Sequence, residues 1–315
     1  MAIVPGQTAE YIAVRIVSVT HRANHLYQNI ALGAKPMPIW KIAAVQMDCK
    51  LGDVPANLSR INARLVETAQ AGARLTIFPE CALTGYAFDS KEEAWPNAED
   101  LNGPSVSALA DTCRRHNIYA VVGGLERDRD RMFNVSFLIG PGGLVARYRK
   151  IHLPFLGVDR FTTPGDEPFD VQVLDGLHIG MNICYDGSFP ESTRILMLLG
   201  ADLVVLPTNW PAGAESTVCH LVQCRALENH VFYAAVNRVG VEKNTRYIGQ
   251  SRIVNVNGDL LAGAGRDEET ILYAEIDPTV ARNKEIVRIP GKYQLHRVND
   301  RRPDMYGELV KPLRN

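Results

Sequence analysis

Three side chains, far apart in the chain, are of the types that together break an acyl bond: a thiol, a carboxylate and an ammonium. The thiol is Cys184, in the stretch LHIGMNICYDGSFPE from Leu177 to Glu191. Ile179, Met181 and Ile183 alternate with small or polar neighbours, the period of a strand, and Gly180 admits close packing. The apolar run stops at Cys184, and Asp186-Gly187 signals a turn. Pro190 then opens a helix, because proline at the first helical position lacks an N–H that would be unpaired there anyway. A cysteine therefore stands where a strand breaks and a helix is about to begin. Backbone N–H groups converge at such turns, and α/β hydrolytic enzymes place nucleophiles there. A buried structural cysteine fits the same residues.

A thiol with an ordinary pKa of about 8.5 needs a proton acceptor or a nearby cation to become an effective nucleophile. Of the domain histidines His152, His178, His220 and His230, none joins a strand end to a carboxylate close in sequence, which argues against a Cys–His protease arrangement. Two strand ends offer other helpers. Glu80 directly follows the apolar strand LTIFP, where a charge must be exposed or paired. Lys150 closes ARYRK, just before the turn-like IHLP. Taken singly, Glu80 reads as a solvated loop residue and Lys150 as a surface charge. Taken together they supply a base and a fixed ammonium, a set that activates a sulfur nucleophile and neutralises an oxyanion without histidine.

The elements that must position these groups alternate between strand and helix from Lys41 onward. KIAAVQM predicts a strand, and Asn57 is expected to cap a helix with Leu58, Ile61, Leu65 and Val66 at helical spacing. Strands are predicted at Leu75 to Phe78, Ile118 to Val122 with a stop at Gly123-Gly124, Phe133 to Ile139 and Leu144 to Arg149, the last two joined by a hairpin-like Gly140-Pro141-Gly142-Gly143. Beyond Cys184 the pattern predicts helices from Pro190 to Leu199 and Glu215 to Asn229. Further strands are predicted at Leu203 to Leu206, Phe232 to Val236, Ser251 to Val256, Leu260-Leu261 and Thr270 to Ile276. LTIFPECALTG (Leu75 to Gly85) and LVVLPTNWPAG (Leu203 to Gly213) share an apolar strand with proline and glycine at the same offsets. This echo points to duplicated halves facing one pocket, with chance as its competitor. Mixed with hairpins, the alternation describes a layered α/β domain rather than a purely parallel sheet. Three segments follow: an N-terminal extension at 1–38, a catalytic domain at 39–280 and a tail at 281–315 that wraps the domain or a partner subunit.

Composition narrows the function classes. The 315 residues are 46% hydrophobic and 22% charged, with net charge −1, an ordinary globular balance with no electrostatic case for nucleic acid or anionic membrane. The richest apolar stretch, Ile195 to Leu206, is interrupted by Asp202 and falls short of the roughly 20 residues that span a bilayer. Six scattered cysteines without a CxxC disfavour zinc and a disulfide scaffold, and point to reduced thiols in the cytoplasm. The first stretch has one acid, Glu10, and includes Arg15 and Arg22. It reads as a loosely packed extension, a transit peptide or the product of an upstream start codon.

FPECALTGY around Glu80, YRKIHLP around Lys150 and GMNICYDGSFPE around Cys184 resemble, in order and separation, the three signature segments of the nitrilase (carbon–nitrogen hydrolase) superfamily. PTNWP at Pro207 to Pro211 and RALEN at Arg225 to Asn229 are similar too, and the resemblance covers about Lys41 to Ile276. It implies a four-layer α-β-β-α sandwich of two mixed sheets, assembled as a homodimer or larger homo-oligomer around a small-molecule substrate. It also implies Glu80 as general base, Lys150 as the cation at the tetrahedral intermediate, Cys184 as nucleophile and the Tyr185 N–H as an oxyanion donor, with no metal or organic cofactor. One departure stands out. Where many members carry a second glutamate after the lysine segment, this chain has Asp159, one methylene shorter. Glu191 resembles a position that supports the loop. Asn209, Trp210 and Tyr86 would line the pocket, with core packing an equal reading of the two aromatics. Cys-Tyr-Asp resembles the amidase and carbamoylase branches, so a small linear amide or N-carbamoyl substrate is expected. A nitrilase, or a silent scaffold on the same fold, is the rival.

Overall fold

Successive residues of the first strand face two different cores. In β1 (Trp40–Gln46), Trp40, Ile42 and Ala44 join one apolar cluster, whereas Ala43 and Val45 join another. A strand apolar on both faces belongs in the middle of a layered structure, and this one lies there. The computed structural model describes residues 38–312, so the expectation for the N-terminal extension lies, apart from Pro38, outside the described residues.

The first sheet continues with β2 (Leu75–Ile77), β3 (Tyr119–Asp128), β4 (Arg131–Gly140) and β5 (Gly143–Arg149). The chain then builds β6 (Val171–Leu174), β7 (Leu177–Met181), β8 (Leu203–Thr208) and β9 (Phe232–Asn237). A short hairpin of β10 (Val241–Glu242) and β11 (Thr245–Arg246) leads to β12 (Arg252–Val254), β13 (Leu260–Gly263) and β14 (Thr270–Ile276). The two six-stranded sheets have the orders β14-β1-β2-β3-β4-β5 and β6-β7-β8-β9-β12-β13. In each, three central strands run parallel and the flanking pairs are antiparallel. This correspondence makes β2 and β8 counterparts, as the echo between LTIFP and LVVLP anticipates.

Ile42, Leu75, Ile77 and Val121 of the first sheet share a core with Ile179, Met181, Leu203 and Val205 of the second, which fixes the sheets face to face. Helices cover the outer faces. Ile61 and Leu65 of helix Val54–Gln70 and Val106, Leu109 and Cys113 of helix Pro104–His116 pack on Ala120, Val122 and Phe137. Leu196 and Met197 of helix Pro190–Leu198, with Val222 and Ala226 of helix Val222–Asn229, cover the second sheet. The result is the expected α-β-β-α sandwich with internal pseudo-symmetry. Gly180 proves necessary for close packing, because a Cβ there would stand 2.9 Å from Leu196. No helix among the described residues is long and apolar enough to cross a membrane.

Three local expectations need correction. Asp53, not Asn57, caps helix Val54–Gln70, accepting from Ala56 N at 3.1 Å. Asn57 is buried and ties two loops, donating to Lys50 O and Leu83 O. The strand does not stop at Gly123-Gly124; β3 runs on to Asp128. A Cβ on Gly123 would come within 2.4 Å of Cys81 N and 2.5 Å of Pro79 O, so these glycines admit the Glu80 loop against the sheet rather than breaking the strand. Finally, the boundary expected between 280 and 281 falls inside helix Pro278–Arg282, which is followed by a hairpin of Glu285–Ile289 and Tyr293–His296.

Candidate active site

Cys184 begins a short 3-10 turn, Cys184–Ser188, after β7 and before helix Pro190–Leu198. Its φ is +44°, a left-handed conformation that costs a non-glycine residue of order 1–3 kcal/mol and persists only where surroundings impose it. Asp186 imposes it. Its carboxylate accepts from Ile183 N (3.0 Å), Tyr148 OH (2.8 Å) and His152 N (3.0 Å), and contacts His152 Nδ1 at 2.7 Å. The His152 ring in turn stacks on Phe189, with centroids 3.8 Å apart. Sequence reading missed this pair because 34 residues separate its members. Histidine does stand beside the turn, bound into its scaffold.

Glu80, at the end of β2, and Lys150, at the end of β5, meet in the interior with their side chains fully buried. Lys150 Nζ donates to Glu80 Oε1 at 2.7 Å and to Asp159 Oδ2 at 2.5 Å. Asn134, from the middle of β4, donates from one amide nitrogen to Glu80 Oε1 (2.7 Å) and to Asp159 Oδ1 (2.8 Å). Tyr86 OH donates to Asp159 Oδ2 at 2.7 Å. Glu80 Oε2 is buried and has no hydrogen-bond partner among the described residues. The short Asp159 side chain thus reaches the ammonium directly.

The electrostatics follow from burial. Desolvation raises the Glu80 carboxyl above its ordinary range; Lys150 opposes this, Asp159 adds to it, and Asn134 opposes it. Desolvation works against the Lys150 ammonium, yet Asp159 and Glu80 reverse it and hold its pKa well above the usual lysine value. Burial pushes the Cys184 thiol up to about 12, with Glu80 adding to the rise and Lys150, Thr208 and the Asn209 N–H opposing it. At neutral pH the site therefore holds a protonated thiol and an ammonium beside the buried Glu80 carboxyl.

Asn209 follows β8, the counterpart of β2, and its Nδ2 donates to Glu80 O at 3.0 Å, so the two echoed loops touch. Its Oδ1 is buried without a hydrogen-bond partner among the described residues. Trp210 is buried in the core between the sheets, its N–H held by Asn237 Oδ1 at 2.9 Å. Tyr86 is buried too, with its hydroxyl aimed at Asp159. Tyr185 follows Cys184 with its side chain half-exposed. The loop support expected of Glu191 falls instead to Asp186: Glu191 is exposed and lines a surface groove of about 540 Å³ with Arg194, Glu228 and Tyr306. Asn134 was not anticipated, although an asparagine inside the mostly apolar run FNVSFLIG is a signal of buried hydrogen bonding. Nor was Glu242, which accepts from Tyr86 N (3.0 Å) and Ala87 N (2.8 Å) while ion-paired to the buried Arg238.

The carbon–nitrogen hydrolase family profile matches residues 41–284, most of the chain. The chain is a carbon–nitrogen hydrolase of the nitrilase superfamily. A protein named nitrilase from Pyrococcus abyssi is 35% identical to this hydrolase over 269 residues, covering 84% of this chain and 98% of that one. An (R)-stereoselective amidase from a Pseudomonas species is also 35% identical, over 72% of this chain and 82% of its own. The hydrolase shares its fold with a glutamate-to-glutamine mutant of the amidase from Nesterenkonia sp. AN1, at a TM-score of 0.72 and 23% identity, over 88% of this chain and all of that one. That structure shows the acetamide moiety of fluoroacetamide added covalently at the active-site cysteine.

Proposed function

We propose that this enzyme hydrolyses a small linear amide or N-carbamoyl compound through a thioester on Cys184, with Glu80 as base and Lys150 as the cation. The observation that carries this reading is the single unbonded carboxylate oxygen, Glu80 Oε2, buried in the field of a neutral thiol and beside a fixed ammonium. As Cys184 Sγ attacks the carbonyl carbon, the thiol proton passes to Glu80 Oε2. The carbonyl oxygen becomes an oxyanion, facing Lys150 and the Tyr185 N–H. Two of the three ammonium donors are spent on Glu80 and Asp159, leaving one for the oxyanion. Glu80 then gives its proton to the departing nitrogen, the C–N bond breaks, and amine or ammonia leaves a thioester. Water attacks that thioester while Glu80 takes one of its protons. The C–S bond breaks, the acid leaves, and the thiol regains the proton from Glu80.

The modified cysteine in the Nesterenkonia amidase and the amidase name of the Pseudomonas relative support the amide reading. The name of the Pyrococcus relative supports nitriles as a second substrate class, to which the same thiol would add. An ammonia-release screen over amides, N-carbamoyl amines, N-carbamoyl amino acids and nitriles distinguishes them, with intact-mass detection of an acyl adduct on Cys184. Turnover by Cys184→Ala equal to that of the unaltered enzyme would falsify the proposal.

A further inference from the structure

Two carboxylates share the Lys150 ammonium, and nothing in their chemistry says which should be the base. The hydrogen bonds distinguish them. On Asp159, Oδ2 accepts from Lys150 and Tyr86 and Oδ1 accepts from Asn134, so both oxygens are engaged. On Glu80, Oε1 accepts from Lys150 and Asn134, while Oε2 accepts from no described residue. One amide group thus occupies one oxygen of each carboxylate.

The orientation of that amide is set by its neighbours. Carboxylates only accept, so Nδ2 must face them. Asn134 Oδ1 lies 3.6 Å from the Cys81 thiol, a donor, and the Asn134 carbonyl accepts from Lys150 N at 2.9 Å. Asn134 therefore touches the backbone or side chain of Lys150, Glu80, Asp159 and Cys81 at once.

We propose that Asn134 is a positioning residue that assigns the proton-accepting role to Glu80 Oε2, by filling the Oε1 side of Glu80 and closing the last free oxygen of Asp159. The inference rests on the cysteine–thioester reading. Remove the amide, and two oxygens lose their donor while Asp159 Oδ1 opens as a competing acceptor. The titratable groups facing Glu80 are Lys150 from the end of β5, Asp159 from the following loop, Tyr86 from the loop after β2, Tyr247 from the segment after β11, Cys184, and Cys81, the chain neighbour of Glu80. Asn134 is the neutral member that tunes the carboxylate without adding a charge. Its bond favours the charged form of Glu80, so its loss shifts Glu80 toward the protonated, inactive form.

The test follows two rates against pH: kcat/KM on whichever amide the enzyme turns over, and alkylation of Cys184 by iodoacetamide, resolved by peptide mass. A hydrogen bond to a charged group sets the expected size. In Asn134→Leu the acid limb of both profiles should move upward by about one to two pH units, with kcat/KM near neutral pH falling on the order of 10–100-fold, mostly in kcat. Asn134→Ser, which keeps one donor, should fall between, and carries the same test if the leucine variant does not fold. An acid limb that stays in place in a folded variant, whatever its melting temperature or residual rate, overturns the inference. If the unaltered enzyme turned over no amide, the thioester reading would fail, while the alkylation profiles would still judge Asn134.

Discussion

Arg149 and Lys150 are neighbours at the end of β5, both buried cations, and the chain uses them in opposite ways. Arg149 spends its guanidinium on Glu126, through Nε at 2.9 Å and Nη2 at 2.7 Å, and on Asp128 and Asp166 at 3.1 and 3.0 Å. Both oxygens of Glu126 are engaged, and Arg147 adds a further bond at 2.7 Å. Lys150 faces a set of carboxylates that is bonded except for one oxygen. A strand points consecutive side chains to opposite faces, so one step along the chain exchanges a closed ion network for an open one. Closure of the hydrogen-bond inventory, more than burial or charge, separates the structural cation from the one proposed for chemistry.

Substitutions can break or sharpen that contrast. The largest effect expected is in Cys184→Ala, where turnover should fall by a factor on the order of 10⁴ or more with the melting temperature kept, measured by ammonia release and calorimetry. Lys150→Met should lose both properties: roughly 10³-fold or more in kcat/KM, and about 3–5 kcal/mol of stability, because two buried carboxylates lose their counter-ion. Arg149→Met is the control. It should cost about 3 kcal/mol, at the low end because Asp128 and Asp166 keep contact with water, and leave kcat/KM per folded molecule unchanged. Equal activity losses in the two variants would sink the comparison. Asp159→Asn keeps the shape but removes one charge at the ammonium, and should cost about 10–100-fold in kcat/KM.

The pH profile offers a graded reading of the open network. In the proposed mechanism Glu80 must be unprotonated to take the thiol proton, and burial raises its pKa above 4.5. Activity should therefore be present above that raised value and fall as pH drops through it, giving an acid limb at higher pH than a free carboxylate would. The thiol, pushed up to about 12, contributes no thiolate of its own at neutral pH. In Glu80→Gln, alkylation of Cys184 should stay slow at neutral pH, and its alkaline rise should lie below that value because the charge that adds to the thiol's rise is gone. A small catalytic effect is expected at Glu242→Gln. There the amide still meets the Tyr86 and Ala87 N–H groups but no longer neutralises Arg238, so stability should fall by about 3 kcal/mol and kcat/KM only slightly.

The sequence by itself determined most strands, most helices, the duplicated halves and the positions of Glu80, Lys150 and Cys184. Each depends on local signals: a two- or 3.6-residue apolar period, a proline or glycine at a strand end, a motif contiguous in the chain. The reading failed where a local signal had a distant cause. Gly123-Gly124 resembles a strand stop, yet serves the backbone of Cys81 and Pro79 packed over it. Only the tertiary structure decided that Asn134, 54 residues from Glu80 and 25 from Asp159, would bridge both carboxylates. The same holds for Asp186 bracing the Cys184 turn and contacting His152, and for Asp159 reaching Lys150 despite its shorter side chain. Hydrogen bonds of this kind are set by where strands of a sheet stand relative to one another. A period along one strand carries no information about which polar group faces it from the next.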